Sequence, residues 1–324
     1  MKKYKQRLNV FITVDTEVWE FYNDIEQNVS SALWGITEQG EYGLNFQLKK
    51  LEQFNLKATF FLEPFFSYHS GIEPLEAAIH QISSFNQEVG LHIHTEWIMG
   101  AKNFPYQLGH IHRNIGDFDF ATQEKLISHA KHLITDIKKV NICCFRAGNY
   151  GADNRTLEAL HSLDIPYDTS YNIPYLNDPC NIQVNALITS PSVINNTTEI
   201  PVSAFYGFPK HIRHLQLSAC SFSELKDVLL SNWKAQQFSC VIVLHSFEWI
   251  KRDKKNNKHY LDKICLRRFE KLCQFLANNT DKFQTSHFED IKIKESMLPP
   301  PLHVAKSKTQ STLVRYIEQF LRRI

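Results

Sequence analysis

The sequence predicts an α/β protein built on a parallel sheet. Short and almost continuously apolar segments at residues 8–16, 57–63 and 238–246 are typical of strands buried on both faces of such a sheet. Segments with apolar residues at helical spacing, such as residues 44–55 and 122–139, lie between them. Strands that alternate with helices favour a parallel sheet covered by helices.

Further segments continue this alternation along the chain. We predict strands at residues 88–97, 142–147, 165–172 (a strand or a turn) and 199–203, and helices at residues 74–85, 154–163, 223–234 and 266–278. The helix at residues 223–234 is predicted to be capped by Ser223. Residues 18–43, 98–120 and 251–259 are predicted to be loops, the last of them basic.

A run of three prolines at residues 299–301 predicts a linker. We therefore divide the chain into a domain at residues 1–292 and a linker with an amphipathic helix at residues 293–324. That helix has apolar residues at helical spacing, namely Leu313, Val314, Ile317, Leu321 and Ile324. It could pack on the domain, on a partner subunit or on a membrane surface, and we favour packing on protein.

Composition narrows the class of protein. Hydrophobic residues make up 43% of the chain and charged residues 22%, and the net charge of +2 gives no case for binding nucleic acid. No apolar run approaches the roughly 20 residues of a transmembrane helix. The sequence predicts no signal peptide, and its seven cysteines include no CxxC pair, which indicates reduced thiols. We expect a cytoplasmic protein and leave a homo-oligomer open.

Two carboxylates follow the first predicted strand. If the strand continues to residue 17, Asp15 and Glu17 lie on the same face of it. Two carboxylates at one side of a buried strand are costly unless a cation or hydrogen-bond donors compensate them. The alternative is that they are ordinary acids of a loop or a helix start.

Two histidines end the strand at residues 88–97. Because side chains alternate along a strand, His92 and His94 point to the same side, roughly 6–7 Å apart. Two imidazoles at that separation can bind one divalent ion. The alternative is one buried and one exposed histidine without a metal. A second HxH pair, His110 and His112, has no strong strand around it, and we interpret it as part of a solvated loop.

Arg146, Asp168 and His245 also interrupt apolar strands at their carboxyl ends. In parallel α/β folds that end of the sheet carries the active site. Together with the carboxylate and histidine pairs, these residues offer a metal site, a cation, an acid and a lone histidine. This set of groups is typical of metal-assisted hydrolysis.

Six motifs then carry a resemblance to a known family. They are TVDTE at residues 13–17, LKATFFLEP at 56–64, EVGLHIHTEW at 88–97, FRAGNYG at 145–151, YDTS at 167–170 and VLHS at 243–246. In this order the chain resembles the polysaccharide deacetylase family, the NodB-homology carbohydrate esterases of family 4. The resemblance covers residues 8 to 291, most of the chain, and it looks like a divergent intracellular branch.

The resemblance implies a deformed parallel (β/α) barrel as the catalytic domain at residues 1–292. It implies a hydrolase that uses one divalent metal, most often zinc. Asp15 stands at the position of the general base and Arg146 at that of the arginine that orients it. Glu17, His92 and His94 stand at the positions of the metal ligands.

The resemblance also implies the acid side of the reaction. His245 stands at the position of the general acid, and Asp168 at that of the acid that keeps this histidine charged. The backbone near Tyr150 would contribute an oxyanion donor.

The chain departs from the family pattern in two places. The family has adjacent carboxylates and histidines four residues apart, whereas here Thr16 separates the carboxylates and the histidines are two apart. The third ligand could therefore be His94 or Glu96. The roles of Asp15 and Glu17 could likewise be exchanged.

These observations predict a metal-dependent deacetylase, a hydrolase of carbon–nitrogen bonds other than peptide bonds. Its expected substrate is an N-acetylated sugar or glycan intermediate. Two alternatives remain: a related amidase that acts on a small non-sugar amide, such as a cyclic amide, and a non-catalytic relative that binds a carbohydrate or a partner.

Overall fold

The computed structural model describes residues 6–18, 25–253, 258–291 and 302–322. Its strands are β1 Leu8–Thr16, β2 Ile36–Thr37, β3 Gly40–Glu41, β4 Ala58–Leu62, β5 Glu88–Ile93, β6 Cys144–Ala147, β7 Tyr167–Asp168, β8 Ser192–Ile194, β9 Thr197–Glu199, β10 Ala204–Tyr206, β11 Ile212–His214, β12 Ser239–His245, β13 Ile250–Asp253, β14 Lys258–Leu261, β15 Phe283–Thr285 and β16 Ala305–Lys306. Its α-helices are α1 Ile25–Ala32, α2 Leu44–Gln53, α3 Ser67–Ser70, α4 Glu73–Ser84, α5 Phe120–Ile137, α6 Asn154–Ser162, α7 Phe222–Lys234, α8 Lys263–Ala277 and α9 Thr309–Leu321. Short 3₁₀ helices cover Thr95–Ile98, Ile115–Asp117, Gly148–Tyr150 and Ile173–Tyr175.

The main sheet is mostly parallel and has the strand order β12-β1-β4-β5-β6-β7-β9-β8, with β15 also paired to β1. Its parallel pairs run from β12 to β9, and β8 pairs antiparallel with β9. In the described chain, α-helices connect the parallel strands from β1 to β7, as the alternating pattern predicts, whereas only a 3₁₀ helix and β8 lie between β7 and β9. The predicted α/β class is therefore confirmed.

The sheet curls until its two sides are bridged by the segment at residues 200–203. After β9, the backbone N–H of Val202 donates to the carbonyl oxygen of Tyr171, next to β7. One residue later, Ser203 bonds to Val241 in β12: its N–H donates to the carbonyl oxygen, and its hydroxyl accepts from the Val241 N–H. Residues 200–203, predicted as a strand, are thus a bridge, and the strand itself is Thr197–Glu199.

The curled sheet separates two apolar cores. The larger core lies between the sheet and the helices. The smaller one is enclosed by the curl, and its buried members are Phe11, Phe61, Cys143, Cys144, Ile200, Val202, Val241, Val243, Phe288 and Ile291. Aromatic rings fill this inner space, since the Phe11 and Phe61 rings lie 4.7 Å and 5.7 Å from that of Phe288. The inner space is therefore packed, and it supports the polar site at one end.

Most of the predicted elements are confirmed, and β1 has the predicted bounds. The loop predictions are wrong in two places. Residues 18–43 contain helix α1 and the small hairpin β2–β3, and residues 251–253 and 258–259 belong to the paired strands β13 and β14. The hairpin strands are short and mostly polar, and helix α1 has only the short apolar stripe of Ile25, Val29 and Ala32, so the sequence pattern is weak in both places. Residues 19–24 and 254–257 lie outside the described residues.

Helix α7 begins one residue earlier than predicted and has a different cap. The hydroxyl of Ser221, and not of Ser223, accepts from the backbone N–H of Glu224, and the Glu224 carboxylate accepts from the Ser221 N–H. This reciprocal pair is a capping box. The proline run at residues 299–301 lies outside the described residues, so the division between residues 292 and 293 stays a prediction. Nowhere in the described ranges is a helix both long and apolar enough to span a bilayer.

Candidate active site

A cavity of about 460 Å³ opens at the carboxyl ends of the central strands. Six of the sequence-predicted site residues line it, namely Asp15, Glu17, His92, His94, Tyr150 and His245. Strand register brings them together: Asp15 lies opposite His245 in the β1–β12 pair, and His92 lies opposite Arg146 in the β5–β6 pair. These two pairs of parallel strands therefore end in polar side chains at one edge of the sheet.

Glu17, His92 and His94 form a candidate metal centre. One carboxylate oxygen of Glu17, Oε2, lies 2.7 Å from Nε2 of His94 and 3.2 Å from Nε2 of His92. One donor atom from each of the three residues falls within 4.8 Å of the others. Donors that share an ion at bonds of about 2 Å are themselves about 3–4 Å apart, so this spacing fits one divalent cation.

Hydrogen bonds fix which nitrogen of each histidine faces the centre. Nδ1 of His92 lies 2.7 Å from the carbonyl oxygen of Arg146, which can only accept, so Nδ1 carries the proton. Nδ1 of His94 lies 3.3 Å from the carboxylate of Glu96, which also accepts, so this Nδ1 carries the proton too. Both Nε2 atoms are thereby directed to Glu17 as metal donors, with outer partners of the kind that orient metal-binding imidazoles.

The charges of Glu17, His92 and His94 also favour a positive ion or a proton between them. Burial raises the pKa of Glu17, but the charge of His94 and the hydrogen bonds of His92 and His94 together outweigh it and hold that pKa well below the usual range. Burial lowers the pKa of His94, but Glu17 outweighs it and raises that pKa well above its usual value. Two lone-pair nitrogens and a carboxylate repel one another, so a proton or a metal ion has to lie between them. The donor set, one carboxylate and two imidazoles, is one that Zn²⁺ takes in catalytic sites.

Glu96 lies behind His94 and not beside Glu17. Its carboxylate accepts from Nδ2 of Asn149 at 3.0 Å and pairs with Nε of Arg113 at 3.3 Å. It contacts the His94 nitrogen that points away from the centre. Its position is thus that of an orienting partner, and His94 supplies the donor atom that faces Glu17.

Asp15 lies beside the centre but is paired elsewhere. Its Oδ1 accepts from Nη1 of Arg146 at 2.6 Å, and the Arg146 side chain is completely buried. Nε of Arg146 donates to the carbonyl oxygen of Thr169 at 3.3 Å, which anchors the guanidinium from the other side. A carboxylate held by a fixed arginine at the cavity wall can accept a proton while keeping one orientation.

His245 lies across the cavity from the two other histidines. Its Nε2 is 3.9 Å from the Glu17 carboxylate, and its Nδ1 is 2.8 Å from Oε2 of Glu248. The same Glu248 oxygen accepts from the His245 backbone N–H at 2.9 Å. Burial lowers the pKa of His245, but the hydrogen bond and charge of Glu248 outweigh it, and that pKa rises to about 9. His245 is therefore protonated at neutral pH.

The expected pairing of Asp168 with His245 is wrong, because Asp168 turns into the protein. Its carboxylate accepts from the backbone N–H of Ser170 at 3.1 Å and from the Ser170 hydroxyl at 2.7 Å. That hydroxyl in turn accepts from the N–H of Ala147. Asp168 also faces Glu199, whose pKa burial and the Asp168 charge raise well above its usual value. Asp168 thus orders the turn that anchors Arg146, and Glu248 occupies the place beside His245.

The segment Gly148–Tyr150 carries the strained part of the site. Asn149 and Tyr150 have φ values of 55° and 59°, which residues with a Cβ atom rarely adopt. The side chain of Asn149 bonds to Glu96, so the strained segment is tied to the partner of His94. A Cβ on Gly148 would lie 2.6 Å from the carbonyl oxygen of Ile93 and 2.8 Å from the His94 ring. Only glycine lets the segment approach this histidine so closely.

We expect Gly148→Ala to lower metal affinity by about 10- to 100-fold, the usual cost of disturbing an outer partner of a metal ligand. The added methyl group has to displace either the His94 ring or the Ile93 backbone. Titration of the metal-free protein with zinc measures the change. Gly109→Ala is the matched control, because a Cβ at that position meets nothing within 4 Å. Equal affinities in the two variants would contradict the assignment of His94.

Sequence reasoning missed three polar contacts of this site. They come from Glu248, Gln216 and Asn149. Glu248 contacts Nδ1 of His245, and Asn149 contacts Glu96. Nε2 of Gln216 lies 3.4 Å from Nδ1 of His245. Glu248 follows His245 by three residues, and that spacing at a strand end was the available signal. Gln216 lies in an irregular segment that pairs with Val243 of β12, and no pattern in the sequence places it.

Comparison with solved structures shows the fold. The structure is similar to that of a protein from Mycobacterium smegmatis assigned as a polysaccharide deacetylase, with a TM-score of 0.51, 14% identity and coverage of 94% of this chain and 96% of that one. A family 4 carbohydrate esterase from Streptomyces lividans has a TM-score of 0.42 and 12% identity. The match covers 85% of this chain and 91% of that one. A pseudoenzyme of that esterase family from Bacillus anthracis has a TM-score of 0.41 and 10% identity. The match covers 88% of this chain and 66% of that one. No protein-family model matches the sequence, and no curated protein does.

Proposed function

We propose that the chain is a divergent member of the polysaccharide deacetylase family with that family's deformed barrel over residues 1–292. We propose that it is a metal-dependent hydrolase which removes an acetyl group from an N-acetylated sugar or glycan intermediate. One observation carries this proposal: Glu17, His92 and His94 converge on one point between the Asp15–Arg146 pair and the His245–Glu248 pair. The Mycobacterium structure supports the fold assignment but not the activity.

The metal ligands of this proposal are Glu17, His92 and His94. A zinc ion held by them would supply Lewis acidity, which would polarise an acyl carbonyl and lower the pKa of a water molecule toward about 7. Nδ1–H bonds to the Arg146 carbonyl and to Glu96 keep both imidazoles in the metal-binding tautomer. The chain itself therefore provides the orientation of all three donors.

Asp15 is the proposed general base. As the water oxygen attacks the carbonyl carbon of the amide, Asp15 accepts its proton. The bond to Arg146 holds the carboxylate in one orientation at the cavity wall. The strained turn at Tyr150 would place a backbone N–H toward the carbonyl oxygen, a donor typically worth roughly 3–4 kcal/mol in an acyl transfer.

His245 is the proposed general acid. The carbon–nitrogen bond breaks only when the leaving nitrogen receives a proton, because an amide anion is a poor leaving group. Nε2 of His245 faces the cavity, and Glu248 on Nδ1 keeps the ring protonated. The products are acetate and the free amine, and the proton taken by Asp15 balances the one given by His245.

The cavity supports a sugar as the substrate. Tyr150 and Tyr175 stack with ring centroids 5.4 Å apart at an angle of 20°, and the His214 ring lies 5.4 Å from that of Tyr175. This aromatic wall offers an apolar surface to the C–H face of a sugar ring, while Asn149 and Gln216 supply polar contacts. The cavity of about 460 Å³ is in the range of small-molecule sites.

Two further proposals concern the whole chain. We propose a cytoplasmic location, which is supported by seven cysteines that are all free and buried. We also propose residues 293–324 as an appendage to the catalytic domain, and the described part of it, helix α9, packs on α7. Neither proposal affects the assignment of the site.

The test is acetate release by the zinc-loaded full chain from N-acetylglucosamine oligomers, with cyclic amides assayed in parallel. We expect acetate from the oligomers, loss of the activity after chelation, and recovery on adding zinc. Turnover of the cyclic amides alone would replace the deacetylase by the related amidase. Sugar binding without any release, in a protein that holds zinc, would overturn the hydrolase and favour a binding protein.

A further inference from the structure

Helix α9 packs with its polar side against the protein and exposes its apolar side. The residues buried against the domain are Ser311, Thr312 and Arg315. The exposed residues of the opposite side are Leu313, Val314, Tyr316, Ile317, Phe320 and Leu321. At 3.6 residues per turn these six side chains span an arc of about 160°. Phe320 is 66% exposed and Ile317 55%, so the apolar face is open along its length.

Polar contacts with the rest of the protein fix this orientation of helix α9. Glu318 pairs with the buried Arg268 at 2.7 Å, and Arg322 pairs with Asp262 at 2.5 Å. The Ser311 hydroxyl donates to Asp227 at 2.6 Å. Near the helix start, β16 joins β10 as a parallel strand and holds the preceding segment in register. Turning the apolar face inward would break all of these contacts.

The apolar face is bordered by exposed cations and another exposed aromatic residue. Lys210 and Phe208 lie in the turn of the β10–β11 hairpin, and Lys306 and Lys308 precede the helix. All four are exposed, and Phe208 donates its backbone N–H to the Thr312 hydroxyl, which places the hairpin against the helix. A cavity of about 460 Å³ separates hairpin and helix, lined by Tyr206, Phe208, Pro209, Lys210 and Lys306 among others.

The carboxylates around the helix are all paired inward with cations. Glu224 pairs with Arg213 and Arg315, and Glu318 with Arg268. The other two, Asp262 and Asp227, pair with Arg322 and Lys308. The outward charge next to the apolar face, over the residues that the structure describes there, is therefore positive.

We propose that helix α9 and the tip of the β10–β11 hairpin dock on the surface of an anionic lipid bilayer. An apolar face flanked by lysines is the arrangement of helices that lie in the membrane interface, where apolar side chains enter the acyl boundary and cations bind lipid phosphates. A second copy of the chain fits this surface less well. A twofold contact would place Lys210 and Lys306 of both copies near one another, and neither has an ion-pair partner among the described residues.

The docking surface is connected to the candidate active site. His214, at the other end of the same hairpin, lines the active-site cavity. Lys210 stands four positions before it, so docking would hold the cavity within roughly 15 Å of the lipid surface. The proposal itself is independent of the proposed chemistry, because binding to lipid does not require turnover.

The experiment is co-sedimentation of the full chain with vesicles of phosphatidylglycerol and phosphatidylcholine in equal parts. We expect binding to these vesicles, weaker binding at high salt, and none to vesicles of phosphatidylcholine alone. Phe320→Glu places a carboxylate in the apolar face and should weaken binding by at least about tenfold. Val193→Glu is the matched control, because Val193 is 59% exposed on β8 and lies on another element.

Light scattering of the same proteins without lipid measures their oligomeric state and so tests whether a second copy covers the apolar face instead. A dimer that Phe320→Glu dissociates, in a chain that does not sediment with vesicles, would overturn the proposal and assign the face to a second copy. A monomer that binds neither vesicle would also overturn it and leave a protein partner for the face. Neither substitution contacts the candidate active site, so unchanged turnover of a soluble substrate confirms that each variant is folded.

Discussion

Replacing His92 by alanine is expected to abolish stoichiometric metal binding and to lower acetate release by about a thousandfold or more. The substitution removes one of three donor atoms and also the Nδ1 bond that fixes it. A thousandfold loss corresponds to about 4 kcal/mol of transition-state stabilisation, which is comparable to the several kcal/mol that a Lewis-acid metal supplies. Metal content of the protein purified without chelator, together with a zinc titration, measures the first effect, and acetate release measures the second.

The chain contains its own control for this experiment. His110 and His112 repeat the HxH spacing, and their rings lie 4.5 Å apart, but no described carboxylate completes a metal group with them. His110→Ala should therefore keep both the metal and the activity. Because His92 is buried, His94→Ala serves as a second variant if His92→Ala fails to fold. Full metal content in both variants would show that Glu17, His92 and His94 do not form the metal centre.

Strands that are long and apolar were predicted well, and short polar ones were not. The bounds of β1 were correct because its nine residues include a run of apolar and β-branched side chains, Val10 to Val14, that allows few alternatives. The hairpin β13–β14 was missed because its residues, such as Lys251 and Lys258, are polar on both sides. Its stability comes from contacts with the rest of the chain, which local pattern does not contain.

The site was largely predictable because parallel strands place their carboxyl ends at one edge. That rule brought Asp15, His92 and His245 together before any side-chain position was known. It could not decide which acid faces His245, since that depends on the direction of the turn after β7. Two bonds from Ser170 turn Asp168 away, and a carboxylate three residues beyond His245 takes the position.

Helix α9 illustrates a different limit of sequence patterns. The spacing of Leu313, Ile317 and Leu321 correctly predicted an amphipathic helix. It could not show which side faces the protein, and we expected the apolar side to be buried. The buried partners Arg268 and Glu224 come from distant helices and reverse that expectation. Periodicity defines a face, whereas the charges of the neighbouring elements decide where that face points.

Replacing Glu248 by glutamine is expected to shift the alkaline limb of the pH profile to lower pH and to lower turnover by about tenfold above pH 9. His245 acts as an acid only while protonated, so activity falls as pH rises through its pKa. In the wild type Glu248 raises the pKa of His245 to about 9 against the effect of burial, which lowers it. Without the Glu248 charge we expect that limb to move to lower pH by at least about one unit. The pH dependence of kcat in the zinc-loaded enzyme measures this.

The variant Asp168→Asn distinguishes the pairing of His245 with Glu248 from the pairing with Asp168 that the sequence suggested. Asp168 orders the turn that anchors Arg146, so its replacement should reduce kcat without moving the alkaline limb. A merely structural effect of Glu248→Gln would likewise lower kcat at every pH alike. If the limb moved in Asp168→Asn and stayed in Glu248→Gln, the charge that keeps His245 protonated would come from Asp168. The distance of 2.8 Å between Nδ1 of His245 and Oε2 of Glu248 leads us to expect the opposite result.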